Sequence, residues 1–278
     1  MITVYGIDFD YVALGSDDDD TLSGMNGNDF LNGLDGNDGI IGFGGDDVIV
    51  GDDIPFDEYF EAEADELADT ISALYESVRE QDFSWVSPSD VSMAMASIQS
   101  FVAENPEFLN HIASIGGDDS LVGGKGNDII YGGAGDDYLA GGSGDDILIG
   151  LSGDNDLLGG FGSDVLIGGI GDDRLFGNDG TDYLIGSSGN DFYIGGEGED
   201  YFVFTHLLEG EQSQDRIVDF EQDTDRVFLL NVAERFDDLD INQVGSTVVL
   251  TMSDSHAITF NNSQLSDFSS DDFLFYNV

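Results

Sequence analysis

The stretch "GGSGDDILIGLSGDNDLLGGFGSDVLIGG", residues 141 to 169, decides the fold. It sets glycines beside an acid and an apolar residue and then restarts every nine residues, so three successive nonapeptides share one frame. The slots read G, G or other, any, G, D or N, D, any, apolar, any. Extended outward, the frame covers four units from Gly15, "GSDDDDTLS", "GMNGNDFLN", "GLDGNDGII" and "GFGGDDVIV". After an interruption it covers ten more, from Ser114 to Val203. Slot six is Asp in thirteen of the fourteen units, with Asn155 the exception, and slot eight is apolar in all fourteen, from Leu22 to Phe202. A low-complexity linker would not hold the second register.

Each slot has a physical reason. Glycines allow positive φ and close backbone approach, so a tight turn can aim several carbonyl oxygens at one point. The slot-six Asp adds a carboxylate to those carbonyls. Such hard oxygen ligands suit Ca²⁺, whereas soft or imidazole sites would need Cys or His. The last three slots are strand-like, with one residue facing in and its neighbours out. A unit of this kind cannot bury its own apolar residue, so units must stack.

Composition points the same way. The chain has 278 residues, 40% of them hydrophobic, enough for a core, yet carries 59 acids against 6 bases for a net charge of −53. A compact state of that charge repels itself, so a cation must come from outside the chain. The six bases, Lys125 and five arginines, form no basic stripe, which excludes nucleic acid and an anionic membrane surface as partners. The absence of cysteine removes any disulfide framework or thiolate metal site. The N-terminal "MITVYGIDFDYVALGS" has neither a basic n-region nor a long apolar run, so a conventional signal peptide is not expected, nor is a membrane span.

The nonapeptide resembles that of the RTX, or hemolysin-type, calcium-binding repeat family, which implies a mainly β fold, a calcium-filled parallel β-roll. In that family two units make one turn, and each ion sits between the loops of units i and i+2, held by Asp carboxylates and glycine-loop carbonyls. The resemblance implies as metal ligands Asp20, Asp29, Asp38 and Asp47 in the short block. In the long block it implies Asp119, Asp128, Asp137, Asp146, Asp164, Asp173, Asp182, Asp191 and Asp200, with Asn155 a weakened site that offers an amide oxygen. The loop glycines Gly124, Gly126, Gly133, Gly135, Gly142 and Gly144 are candidates for the carbonyl ligands. Stacking predicts roughly eight ions in the long block and two in the short one, or roughly eight to twelve in all.

Residues 51 to 113 lose the repeat. Glycine nearly vanishes, and Trp85 and all three prolines appear. Phe60, Ala64, Leu67, Ile71, Leu74 and Val78 recur at three and four spacing, which predicts an amphipathic helix, and a second is predicted from about 89 and a short third from Pro106. An α-helical insertion can pack on itself and cap or clip the roll, or present an apolar face to a partner or a second copy. Its 63 residues are seven nines, so the frame resumes in phase, as in one continuous roll, although a looped-out excursion need not conserve phase.

From 204 the glycines give way to alternating aromatic and β-branched residues, predicting a β-rich C-terminal cap. "DRIVDF" followed by "DRVFL" is similar to the segment that closes the roll of RTX exoproteins, and the final "LSDFSSDDFLFYNV" resembles the uncleaved signal read by type I secretion machinery. Asp215, Asp219 and Asp225 are read either as ligands of a further ion or as charges that guard a sheet edge. The expected domains are therefore 1–50, 51–113, 114–203 and 204–278.

Catalytic signatures are missing. There is no HExxH or GxSxG motif, and His111, His206 and His256 lie in three different segments. Slot three holds no ladder of threonines of the kind that binds ice. The expectation is a bacterial protein, secreted or at the cell surface, that is not an enzyme and folds on binding Ca²⁺ outside the cell. Its role is structural, in a matrix or a self-assembling surface layer. Alternatively it is an adhesin or interaction module that grips a protein or glycan through the insertion. A third reading is an extracellular enzyme of another kind.

Overall fold

The last three slots of each nonapeptide begin a strand, which over most of the long block is six or seven residues long and runs into the next unit, and the side chain they present to the interior is that of slot eight. A computed structural model describes residues 2–4, 7–16, 18–52, 116–205, 213–230, 235–252 and 256–276. Within it, alternate units build two different sheets. Strands β4 (Thr21–Ser23), β6 (Gly39–Ile41), β8 (Ser120–Lys125), β10 (Tyr138–Ser143), β12 (Asp156–Phe161), β14 (Arg174–Gly180) and β16 (Phe192–Gly198) stack in one. Strands β3 (Tyr11–Leu14), β5 (Asp29–Asn32), β7 (Val48–Val50), β9 (Ile129–Ala134), β11 (Ile147–Ser152), β13 (Val165–Ile170), β15 (Tyr183–Ser188) and β17 (Tyr201–Thr205) stack in the other. Every pair is parallel, as Leu139 beside Leu157 and Leu148 beside Leu166 illustrate. The result is a parallel β-solenoid of about seven turns.

Between the sheets lies one continuous column of slot-eight side chains. From Leu31 to Leu184 all are fully buried, whereas Leu22 in the first turn is half-buried. Burying one leucine contributes about 1.5–3 kcal/mol, so the column is the main apolar source of stability. At its C-terminal end leucine gives way to Tyr193 and Phe202, which pack edge to face at 6.1 Å. Phe220, Phe260, Phe268 and Phe273 continue the aromatic plug.

The two blocks of repeats form one roll. β8 stacks directly on β6, with Ile40 beside Leu121, and β9 stacks on β7, with Ile49 beside Ile130. Gly51 and Asp52 belong to the roll rather than to the excursion, so the chain departs after Asp52 and rejoins at Gly116. The turn between β7 and β8 is therefore a composite nonapeptide: Gly51 and Asp52 fill slots one and two, and Gly116 to Val122 fill the other seven. Gly51 faces Asp119 as the other slot-one glycines face the slot-six residue of their own unit, which is the physical reason for shifting the boundary. The expected helices fall in residues 53–115, outside the described residues.

Past the last repeat, β18 (Ser213–Ile217) and β19 (Arg226–Leu230) each add a further parallel strand, one to each sheet. β20 (Asp240–Val244), β21 (Thr247–Thr251) and β22 (His256–Asn261) close the larger sheet as an antiparallel meander, and β23 (Phe273–Tyr276) closes the smaller one. The outermost strand, β20, is polar and exposed, which blunts the edge against further pairing. At the other end, β1 (Ile2–Val4) and β2 (Ile7–Phe9) form an antiparallel hairpin, and Phe9 packs on Phe30. Among the described residues no helix is long and apolar enough to cross a membrane.

Candidate metal sites in the turns

The turns stack as closely as the strands. Gly144 has φ +128°, and a Cβ there would overlap the carbonyl oxygen of Gly126, which lies one coil turn below. A side chain is thus excluded twice over, by backbone conformation and by space. Gly124, Gly126, Gly133, Gly135 and Gly142 share the positive φ. The carbonyl of Gly124 lies under Gly142 in the same way, and that of Gly117 under Gly135, so each slot builds a column of oxygens along the roll. Gly133 differs, because it abuts the Asp52 carboxylate. Five slot-two residues that are not glycine, Leu34, Phe43, Leu151, Asn178 and Ser187, take φ between +74° and +88°.

The slot-six residues form two ladders. In one, the backbone amide of Asp119 donates to Asp137 Oδ1 at 2.9 Å, Asp137 to Asn155 at 3.0 Å, Asn155 to Asp173 at 2.8 Å and Asp173 to Asp191 at 2.9 Å. In the other, Asp128 donates to Asp146, Asp146 to Asp164 and Asp164 to Asp182, each at 2.8 Å, and Asp182 to Asp200 at 3.1 Å. Asp20 and Asp38 begin the first ladder, Asp29 and Asp47 the second. Slot five makes a ladder of opposite sense, as when the Asp154 amide donates to Asp136 and that of Asp172 to Asp154. That is why the slot accepts only Asp or Asn in most units.

Each slot-six carboxylate has a second oxygen, and here the positions divide. Oδ2 of Asp38, Asp47, Asp119, Asp128, Asp137, Asp146, Asp164, Asp173, Asp182 and Asp200 is buried and receives no hydrogen bond. These oxygens face the slot-one glycines. A Cβ on Gly177 would meet both Asp182 Oδ2 and the carbonyl oxygen of Gly195, so the glycine leaves a small cradle lined by a carboxylate and a carbonyl. Leaving a charged oxygen buried without a partner costs several kcal/mol, which a bound cation would offset. Among the described residues no three acidic or histidine side chains converge, so a cation held here would complete its coordination with backbone carbonyls. Hard, neutral carbonyls with one carboxylate per turn suit Ca²⁺.

Four positions differ from these ten. Asp20, in the first turn, accepts from the Ser16 amide at 2.7 Å and hydroxyl at 2.8 Å. Asp29 accepts from the Met25 amide through Oδ2, while its Oδ1 has no donor. At Asp191 the Tyr193 hydroxyl lies 3.5 Å from Oδ2, a consequence of tyrosine in slot eight. Asn155 donates its amide to Gly153 O and to Asp173 Oδ1, both at 3.0 Å.

Electrostatics follow burial. Desolvation pushes the carboxyl of Asp146 up to about 9, with the Asp128 and Asp164 carboxylates raising it further. By the same cause Asp119, Asp128 and Asp191 rise to about 8, and Asp137, Asp164 and Asp182 to about 7. Without a cation these turns favour protonated carboxyls.

Three acidic residues near the C-terminal end extend the site. The Asp191 amide donates to Asp215 Oδ1 at 3.0 Å and the Asp200 amide to Asp225 Oδ1 at 3.1 Å, so both ladders continue past the last repeat. Asp219 accepts from the amides of Gly195 and Gly196, each at 3.0 Å. The sequence names all three as ligands of a further ion or as edge charges, but spacings of 24 and 25 residues in place of 18 conceal that Asp215 and Asp225 continue the ladders. Asp52 is a further addition. It is buried and accepts from Gly117 N at 3.2 Å and Ala134 N at 2.7 Å, joining the two ends of the excursion.

A family model for the RTX calcium-binding nonapeptide repeat matches residues 14–49 and, in overlapping segments, 115–202. Among solved structures the chain is similar to the extracellular lipase LipA from Serratia marcescens, at 17% identity and a TM-score of 0.24, covering 95% of this chain and 40% of that one. This chain thus spans less than half the length of that lipase. No curated protein matches the chain.

Proposed function

We propose, from the premise that the chain belongs to the RTX calcium-binding nonapeptide-repeat family and so binds Ca²⁺ in its repeats, that calcium drives its folding outside the cell. The observation that carries this reading is the set of ten buried carboxylate oxygens without donors. At the submicromolar Ca²⁺ of a cytosol the repeats repel one another and stay unfolded, a state suited to export through a narrow type I channel. Outside, sites of about 10⁻⁴ to 10⁻³ M affinity fill, and binding free energy becomes folding free energy. The stack accommodates roughly eight to twelve ions. The chain carries no catalytic centre, and its role is structural, in an extracellular matrix or surface assembly.

A second reading, an adhesin or interaction module acting through the insertion, is favoured by the composite turn. The excursion leaves and re-enters between slots two and three without disturbing the stacking of β8 on β6, so a binding segment can be carried there without breaking the turn register.

Circular dichroism and light scattering during one Ca²⁺ titration test the proposal. Calcium-dependent growth of β signal is expected, followed by assembly beyond the monomer. A spectrum already β-rich in EGTA at neutral pH would sink calcium-driven folding, and a calcium-loaded monomer at all concentrations would remove the structural assembly role.

A further inference from the structure

The two sheets of the roll differ on their outer faces. In the larger sheet, slot nine is largely apolar, as at Val122, Leu158 and Ile194, but slot seven carries Gly39, Ser120, Asp156 and Arg174, and Tyr138 is 40% exposed. On the six successive strands from β7 to β17 of the smaller sheet, the residues on either side of slot eight, in slots seven and nine, are all Val, Ile or Tyr. Ile147, Ile185 and Val203 point away from the slot-eight column and form clusters separate from it, yet are only 2%, 0% and 3% exposed. The N-terminal hairpin meets the outer side of this sheet at β5, where Phe9 packs on Phe30, and all other described strands belong to the two sheets, so among the described residues no further strand layer lies on the face from β7 to β17. All-parallel strands that are apolar on both sides occur almost only where both faces are covered.

We infer that the outer face of the smaller sheet is the docking surface for this chain's own segment 53–115, laid across the strands by its first amphipathic stretch. Three observations select this occupant. Only two residues, Gly51 and Asp52, separate the segment from β7, the first strand of the apolar face. Of the stretches outside the described residues, it alone is longer than seven. Its dimensions also match. As a helix, the apolar stripe from Phe60 to Val78 would run about 27 Å at 1.5 Å per residue. The five steps from β7 to β17 span about 24 Å at roughly 4.8 Å each. The acidic side of the stripe would then face water and the apolar side the sheet.

Hydrogen exchange on the calcium-loaded full chain tests this, comparing wild type with the double variant Ile149→Asp and Ile167→Asp. Segment 56–78 should be protected in wild type at every protein concentration. In the double variant it should exchange at least tenfold faster, while slot-eight strands keep their protection. Free-chain exchange of 56–78 in wild type overturns the inference, and protection that disappears on dilution assigns the face to a second copy instead. A second measurement does not depend on the aspartates folding. The chain lacks cysteine, so Ile149→Cys is paired in turn with Leu67→Cys, Ile71→Cys and Leu74→Cys under mild oxidation. At least one pair should close within a single chain; disulfides only between chains, or none in a folded roll, overturn the inference.

Discussion

The backbone amide of Asp38 donates to Asp119 Oδ1 at 2.6 Å across 81 residues of sequence, reproducing the bond that Asp119 makes with Asp137 at 2.9 Å across 18. The excursion is therefore spliced into the ladder without altering its geometry. Asp47 and Asp128 repeat the relation at 2.8 Å in the second ladder.

Removing residues 53–115 and joining Asp52 to Gly116 should leave a regular nonapeptide at the junction. The turn register should survive, so calcium should still induce β signal by circular dichroism, but with the outer face of the smaller sheet uncovered the midpoint should rise and the product should associate. Asp52→Ala in the full chain strands the amides of Gly117 and Ala134 and should cost about 1–3 kcal/mol in denaturant unfolding at saturating Ca²⁺.

The buried carboxyls set a pH dependence for the metal-free roll. Their folded-state values, about 7 for Asp137 and about 9 for Asp146, lie above the ordinary 3.8, so between these limits the folded roll binds more protons than the unfolded chain. Stability is therefore greatest at acid pH and is lost as pH rises through 7 to 9. After chelation and desalting, β signal should be stronger near pH 5.5 than near pH 8.5. Calcium displaces the protons, so apparent affinity should rise across the same interval.

Asn155→Asp should act in opposite directions in the two states. It removes the amide donated to Asp173 Oδ1 and places two carboxylates together, so the metal-free roll should lose about 1–3 kcal/mol. With calcium, a carboxylate replaces an amide ligand, and the midpoint of the titration should fall severalfold. Equal shifts in EGTA and in calcium would contradict the assignment.

Phe43 takes φ +81° with its side chain 52% exposed, so its strain is offset by little burial. Phe43→Gly should raise unfolding free energy by about 1 kcal/mol in calcium, the cost of the left-handed conformation for a residue with a Cβ. Gly126→Ala should lower it by more, because the new methyl would strike the Gly45 carbonyl as well. Thermal unfolding of the two variants gives the comparison.

The nonapeptide frame made much of this molecule legible from its residues alone. A fixed slot-eight residue on a short strand can be buried only by stacking, so the column from Leu31 to Phe202 and the parallel roll follow from spacing. The slot-six aspartates follow too, since one residue per turn in one backbone conformation must form a column.

Spacing treats all slot-six positions alike, and the tertiary structure does not. Asp137 Oδ2 is left without a donor, whereas Asp191 meets a tyrosine that only the packed core brings near, and Asn155 turns its amide on Asp173. Asp215 and Asp225 join the ladders from outside the frame, and Asp52 accepts from Gly117 and Ala134 across the excursion, because a hydrogen bond depends on where a turn lies in space and not on the 9- or 18-residue interval that brought it there. Likewise the unequal outer faces of the two sheets arise from residues 18 apart, and they become surfaces only when alternate strands are sorted into separate sheets.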